Sequence, residues 1–83
     1  MANFIRLDIR TVNDSLRVFS QQHGIDMGID ESDARQNIIK YVFYHHSTNT
    51  GLVLSIDFEQ VEDLDKSIDA CLVELWHKFD LEG

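Results

Sequence analysis

The run Ile38-Ile39-Lys40-Tyr41-Val42-Phe43-Tyr44-His45-His46, then Ser47-Thr48-Asn49-Thr50, then Gly51-Leu52-Val53-Leu54-Ser55-Ile56-Asp57-Phe58, reads as two strands around a polar loop. Both arms are dense in β-branched and aromatic side chains, which pack well on a pleated surface, and the loop is built of residues that turn readily. With Ser47–Thr50 as the loop, His46 faces Gly51. One face then pairs Ile39 with Phe58, Tyr41 with Ile56, Phe43 with Leu54 and His45 with Leu52. The other pairs Lys40 with Asp57, Val42 with Ser55 and Tyr44 with Val53. One register thus yields an apolar face and a mixed face with an opposite-charge pair, an agreement that a one-residue slip would scramble. A helix running from Asp30 through Tyr44, with Ala34, Ile38, Tyr41 and Val42 on one side, is the competing reading. The β-branched and aromatic density of the run argues against it.

On the N-terminal side, Phe4–Arg10 alternates, with Ile5, Leu7 and Ile9 on one face and Arg6, Asp8 and Arg10 on the other, the pattern of a half-buried strand. Thr11 then caps a helix with Asp14 in its first turn, and Val12, Leu16 and Phe19 recur at i, i+4 and i+7. Gly24 is a natural stop. Turn and capping residues fill Ile25–Arg35, with a short helix expected near Glu31–Gln36 behind an Asp30 cap. On the C-terminal side, Val61, Leu64, Ile68, Cys71, Leu72, Leu75 and Phe79 make one apolar stripe, which predicts a helix over Val61–Leu81. Glu62–Lys66 and Glu74–Lys78 support it as i, i+4 pairs. The expected fold is α+β. A small antiparallel sheet, made of one strand and a later hairpin, carries helices on one face in the order β-α-(short α)-β-β-α. Residues 1–83 form a single compact domain with one core.

The chain carries 15 acidic against 7 Lys and Arg residues, a net charge of −8. Such a charge repels phosphates, which argues against direct binding to nucleic acid or to an anionic membrane, and it attracts basic proteins. No apolar run approaches transmembrane length, and the N-terminal residues lack a signal-peptide core, so the expected location is the cytoplasm. The lone Cys71 forms no intrachain disulfide and falls on the apolar stripe, where a buried thiol is expected.

Little in the chain points to catalysis. No nucleophile motif frames its Ser, His and Asp residues, and its glycines are too scattered to cradle a phosphate. The adjacent His45 and His46 project to opposite faces of a strand and cannot share one metal from an extended backbone. The acidic stretch Asp26–Asp33 lacks the ligand spacing of a calcium loop. No catalytic residue, metal or cofactor is assigned, and the chain is not read as an enzyme.

Two sets of residues point to protein partners. Asp26, Glu31, Asp33, Glu59, Asp63, Asp65 and Asp69 have no obvious local basic partner, whereas Asp57, Asp30, Glu62 and Glu74 have structural explanations. Val42, Tyr44 and Val53, with Phe4 beside Arg6 and Lys40, form an apolar patch on the outer sheet face, and Trp76 stands at the edge of the helix stripe. The first set fits a small acidic protein that inhibits or regulates a basic, nucleic-acid-binding protein by electrostatic occlusion. An immunity protein for a nuclease toxin and a phage-encoded inhibitor are concrete versions. The second set fits an alternative, a homodimeric structural or adaptor module joined through the outer sheet face.

Overall fold

The computed structural model describes residues 2–81, with side chains from residue 6 onward. Helix α1 (Ala2–Gln22) leads into strand β1 (Ile25–Asp30). A 3₁₀ turn at Ala34–Gln36 precedes strands β2 (Ile38–His45) and β3 (Thr50–Asp57), and helix α2 (Leu64–Lys78) follows. The strands form one antiparallel sheet in the order β1-β2-β3. Both helices pack on the same face of it, so the fold is α+β with a single core between sheet and helices. Val12 and Leu16 of α1, Tyr41 and Phe43 of β2, and Leu75 and Phe79 from the end of α2 are each at most 2% exposed.

The hairpin forms with the expected faces but a different register. Ile39 lies opposite Ile56, Tyr41 opposite Leu54 and Phe43 opposite Leu52, so each β2 residue meets a partner two positions earlier than expected. The loop is His46–Asn49, closed by the pair His45–Thr50. Asn49 explains the shift. It adopts a left-handed conformation with φ 53°, and its N–H donates to the His46 carbonyl at 3.2 Å. Asn tolerates that conformation far better than the β-branched Thr50, which would have ended the expected loop. Because the shift is even, no side chain changes face. Cross-strand partners do change. Lys40 faces Ser55 and reaches Asp33 at 3.6 Å instead of pairing with Asp57. The Asp57 carboxylate instead accepts the N–H of Glu59 at 3.0 Å. His45 turns inward against the Phe79 ring, 5.5 Å away between centroids.

The third strand comes from a different segment than expected. Phe4–Arg10 lies within α1, a helix of 21 residues. Its apolar positions fit two periods. Ile5, Leu7 and Ile9 alternate, but Ile5, Ile9, Val12, Leu16 and Phe19 also follow i, i+4, i+7, i+11 and i+14. No turn residue separates Arg10 from Thr11, so the longer pattern prevails and leaves Leu7 59% exposed. Thr11 is therefore not a cap; its hydroxyl donates to the Leu7 carbonyl at 2.9 Å. Gly24, with φ 67°, ends the helix as expected.

The sheet recruits Ile25–Asp30, with Ile25, Met27 and Ile29 facing the core. Asp26, Gly28 and Asp30 had masked this alternation. Asp30 caps no helix: its Oδ1 accepts the N–H of Ser32 at 2.9 Å and the Ser32 hydroxyl, closing a turn. The helix expected at Glu31–Gln36 shrinks to the 3₁₀ turn, whose cap position Asp33 makes no side-chain capping bond.

Helix α2 starts later than the stripe implied. Asp63 is its N-cap, accepting the Lys66 N–H at 3.2 Å. Glu62 precedes the helix and forms no helical pair with Lys66. Val61 and Leu81 still pack on the core from outside the helix, which is why the stripe ran past both ends. Cys71 is buried, as expected.

Candidate interaction surfaces

The helices cover one side of the sheet, and among the described residues nothing covers the other. Strand alternation places three rows on that bare face: Asp30–Lys40–Ser55, Gly28–Val42–Val53 and Asp26–Tyr44–Gly51. Val42 and Val53 oppose each other, 44% and 57% exposed. The glycines leave flat ground beside them. Tyr44 is less free. Its hydroxyl donates to Asn49 Oδ1, and its ring meets His46 edge-on at 4.6 Å. His46 in turn pairs with the Asp26 carboxylate. The expected rim of Phe4 and Arg6 is not part of this face: both positions belong to α1, and the Phe4 side chain lies outside the described ones.

The connections gather most of the candidate carboxylates at one end of the sheet. β1 ends, β2 begins and β3 ends there, so Glu31, Asp33, Glu59, Asp63 and Asp65 all follow from that end. Asp33 faces Lys40. Glu59 accepts from the Asn37 amide at 2.8 Å. Asp63 caps α2, and Asp65 lies in its first turn, where the helix dipole favours an anion. Beside them, the Ser32 hydroxyl and N–H, aided by Lys40, hold the Asp30 carboxyl below the usual carboxylate range. Asp26 and Asp69 do not join this group. Asp26 sits near the hairpin-loop end of β1, roughly 13 Å away along the strand at ~3.3 Å per residue. Asp69 projects from α2 beside Phe19, Leu72 and Trp76.

Trp76 is 37% exposed. It meets His23 edge-on at 5.4 Å and Phe19 at 5.9 Å, and so belongs to an aromatic cluster joining the ends of α1 and α2. Exposed Val18 and Val73 border that cluster. Sequence reading missed His23, Val18 and Val73. The i, i+4 spacing of Phe19 and His23 was a usable signal, whereas Val18 and Val73 sit one position off their stripes.

His45 and His46 point to opposite sides of the sheet. Among the described residues, no three His, Cys, Asp or Glu side chains converge as metal ligands, and no helix is long and apolar enough to cross a membrane. No protein-family model, curated protein or solved structure matches the chain.

Proposed function

We propose that the chain is a small acidic binding protein that inhibits or regulates a basic, nucleic-acid-binding protein by covering its cationic surface. One observation carries this reading: Glu31, Asp33, Glu59, Asp63 and Asp65 are collected at the end of a sheet whose outer face is partly apolar and is covered by no described element. Val42 and Val53 would supply desolvated contact, and the carboxylates would take the Arg and Lys side chains that otherwise hold phosphates. Opposite potentials speed association and make it salt-sensitive.

The test is capture from the native host at low salt, followed by identification of the bound protein and a competition assay with DNA or RNA. A basic protein that releases its nucleic acid on binding is expected. The combined variant Glu31→Gln, Asp63→Asn, Asp65→Asn removes charge while leaving α2 with a good capping side chain, since asparagine caps about as well as aspartate. It should weaken binding roughly tenfold or more, mostly through association rate. A captured partner that keeps its nucleic acid, or binds the variant equally well, sinks the reading.

The directly opposed, exposed Val42 and Val53 favour a second reading, a homodimer through the Val42–Tyr44–Val53 face. Sedimentation at micromolar concentration decides it, and a strict monomer excludes it.

A further inference from the structure

The edge of the sheet at β3 faces a cleft against α2. Among the described residues β3 pairs only with β2, so its far side is an edge. Its eight residues contain no proline and no lysine, and the pairing runs without a bulge from His45–Thr50 to Ile38–Asp57. Proline, lysine and bulges are the devices that normally blunt an edge strand, and β3 has none of them. The direction of its free backbone groups follows from the ladder. Phe58 N–H donates to the Asn37 carbonyl at 2.8 Å, which makes Asn37–Phe58 a hydrogen-bonded pair. Such pairs alternate along antiparallel strands. Gly51, Val53, Ser55 and Asp57 therefore turn their backbone groups outward. The Asp57 carbonyl is taken by the Gln60 N–H at 3.0 Å.

Between this edge and α2 lies a cleft of about 430 Å³. Ile56, Val61, Ala70 and Cys71 give it apolar walls, Asp57 and Glu62 give it charge, and among the described residues no Lys, Arg or His lines it. One helical turn from Ala70 stand Lys66 on one side and Glu74 on the other, so the carboxylates of the cleft itself are Asp57 and Glu62.

We infer that the cleft receives an extended segment of a basic protein, added antiparallel to β3 as a further strand. Its small apolar side chains at alternate positions face Val61, Ala70 and Cys71, and its Lys or Arg side chains lie beside Asp57 and Glu62. Backbone pairing supplies affinity, and the alternating pockets and carboxylates supply selectivity. Charge decides the occupant: a second copy of the chain would bring two carboxylate-lined edges together, whereas a basic segment neutralises one. The inference rests on the reading of a basic partner and gives that partner a docking mode.

The experiment is an NMR titration of the full chain with three capped heptapeptides. One alternates Val and Lys, one is the same peptide N-methylated at the amides that would face β3, and one alternates Val and Glu. The Val/Lys peptide should shift the amides of Gly51, Val53, Ser55 and Asp57 and slow their exchange. N-methylation should weaken it roughly tenfold, the equivalent of a lost hydrogen bond or two, and the Val/Glu peptide should bind more weakly still. Ser55→Pro removes an outward N–H at an edge, where proline is tolerated, and should abolish binding. Ala70→Phe fills the cleft from an exposed helical position, should leave the fold intact, and should also abolish binding.

No response of the β3 amides at about 1 mM peptide, indifference to N-methylation or to Ala70→Phe, or equal binding of the Val/Glu peptide overturns the inference. So does a dimer in which the free chain already protects those amides, since the occupant is then a second copy. Salt-sensitive shifts confined to Glu31, Asp33 and Glu59 overturn the cleft but leave the basic-partner reading standing. Loss of that reading is recognised separately, by a captured partner that keeps its nucleic acid.

Discussion

Tyr41 is the largest of the fully buried side chains, at the centre of the middle strand. Its hydroxyl donates to Asn13 Oδ1 at 2.5 Å, tying β2 to α1. Burial pushes the phenol above its ordinary range, and the negative charge available at Cys71 and Glu31 adds to the effect. Burial, with Glu74 next, pushes the Cys71 thiol in the same direction. For both groups the folded state binds the proton more tightly than the unfolded chain does. Their contribution is fully present below the unfolded values, ~8.5 for Cys and ~10 for Tyr, and is lost as pH rises above them. Urea unfolding followed by circular dichroism should show stability declining from about pH 9 and more steeply beyond about pH 10. Tyr41→Phe should cost about 1–2 kcal/mol at neutral pH, because Asn13 loses its partner, and should flatten the decline above pH ~10. A wild-type stability that is level across that window contradicts this account of Tyr41.

At the scale of the element, the end of α2 carries a non-glycine residue in a left-handed turn. Leu81 N–H donates to the Trp76 carbonyl at 3.1 Å and Asp80 N–H to that of His77 at 3.4 Å, the paired bonds of a Schellman ending. The motif wants glycine where Asp80 stands with φ 50°. Asp there carries a Cβ in left-handed space and a negative charge at the negative end of the helix dipole. Asp80→Gly should therefore raise stability by about 1 kcal/mol in denaturant titration; a destabilised variant would show that the Asp80 side chain makes a compensating contact.

The same local chemistry marks what could be read from the chain alone. The hairpin faces were legible because a period of two survives any even shift, while the register was not, because it hung on which loop residue would turn left-handed. Asn49 is the loop residue best suited to that turn, while the opposite charges of Lys40 and Asp57 favour the other register. Ile5–Ile9 fitted a strand and a helix equally, and only the continuation through Val12, Leu16 and Phe19 separates them. Ile25–Asp30 was hidden because its outward positions are two acids and a glycine. For the candidate surfaces, Val42 and Val53 could be placed from alternation alone. The split of Asp26 and Asp69 from the other carboxylates could not, since it depends on which segment becomes β1.

Across the whole molecule, a net charge of −8 is spread over 83 residues. Among the described residues, the ion pairs of Lys and Arg are Asp14–Arg17 at 3.7 Å and Asp33–Lys40 at 3.6 Å, both on well-exposed side chains. Exposed pairs of this kind contribute little each, and less as salt rises. Repulsion among the remaining carboxylates acts over longer distances and opposes the compact state. At low ionic strength repulsion therefore outweighs attraction, and screening should stabilise the fold. Raising salt from about 10 mM to about 0.5 M shortens the screening length from roughly 30 Å to under 10 Å. The melting temperature should rise by roughly 4–8 °C if about 1 kcal/mol of repulsion is relieved in a domain of this size. Glu31→Gln, Asp63→Asn, Asp65→Asn should melt higher than wild type at low salt and respond less to added salt. On the proposed reading, binding to a basic partner should move the opposite way over the same range, because the charge that strains the free chain would also draw such a partner in. A melting temperature that falls as salt is added would mean that the carboxylates are held by attractive contacts, and would remove the electrostatic reason for expecting a basic partner.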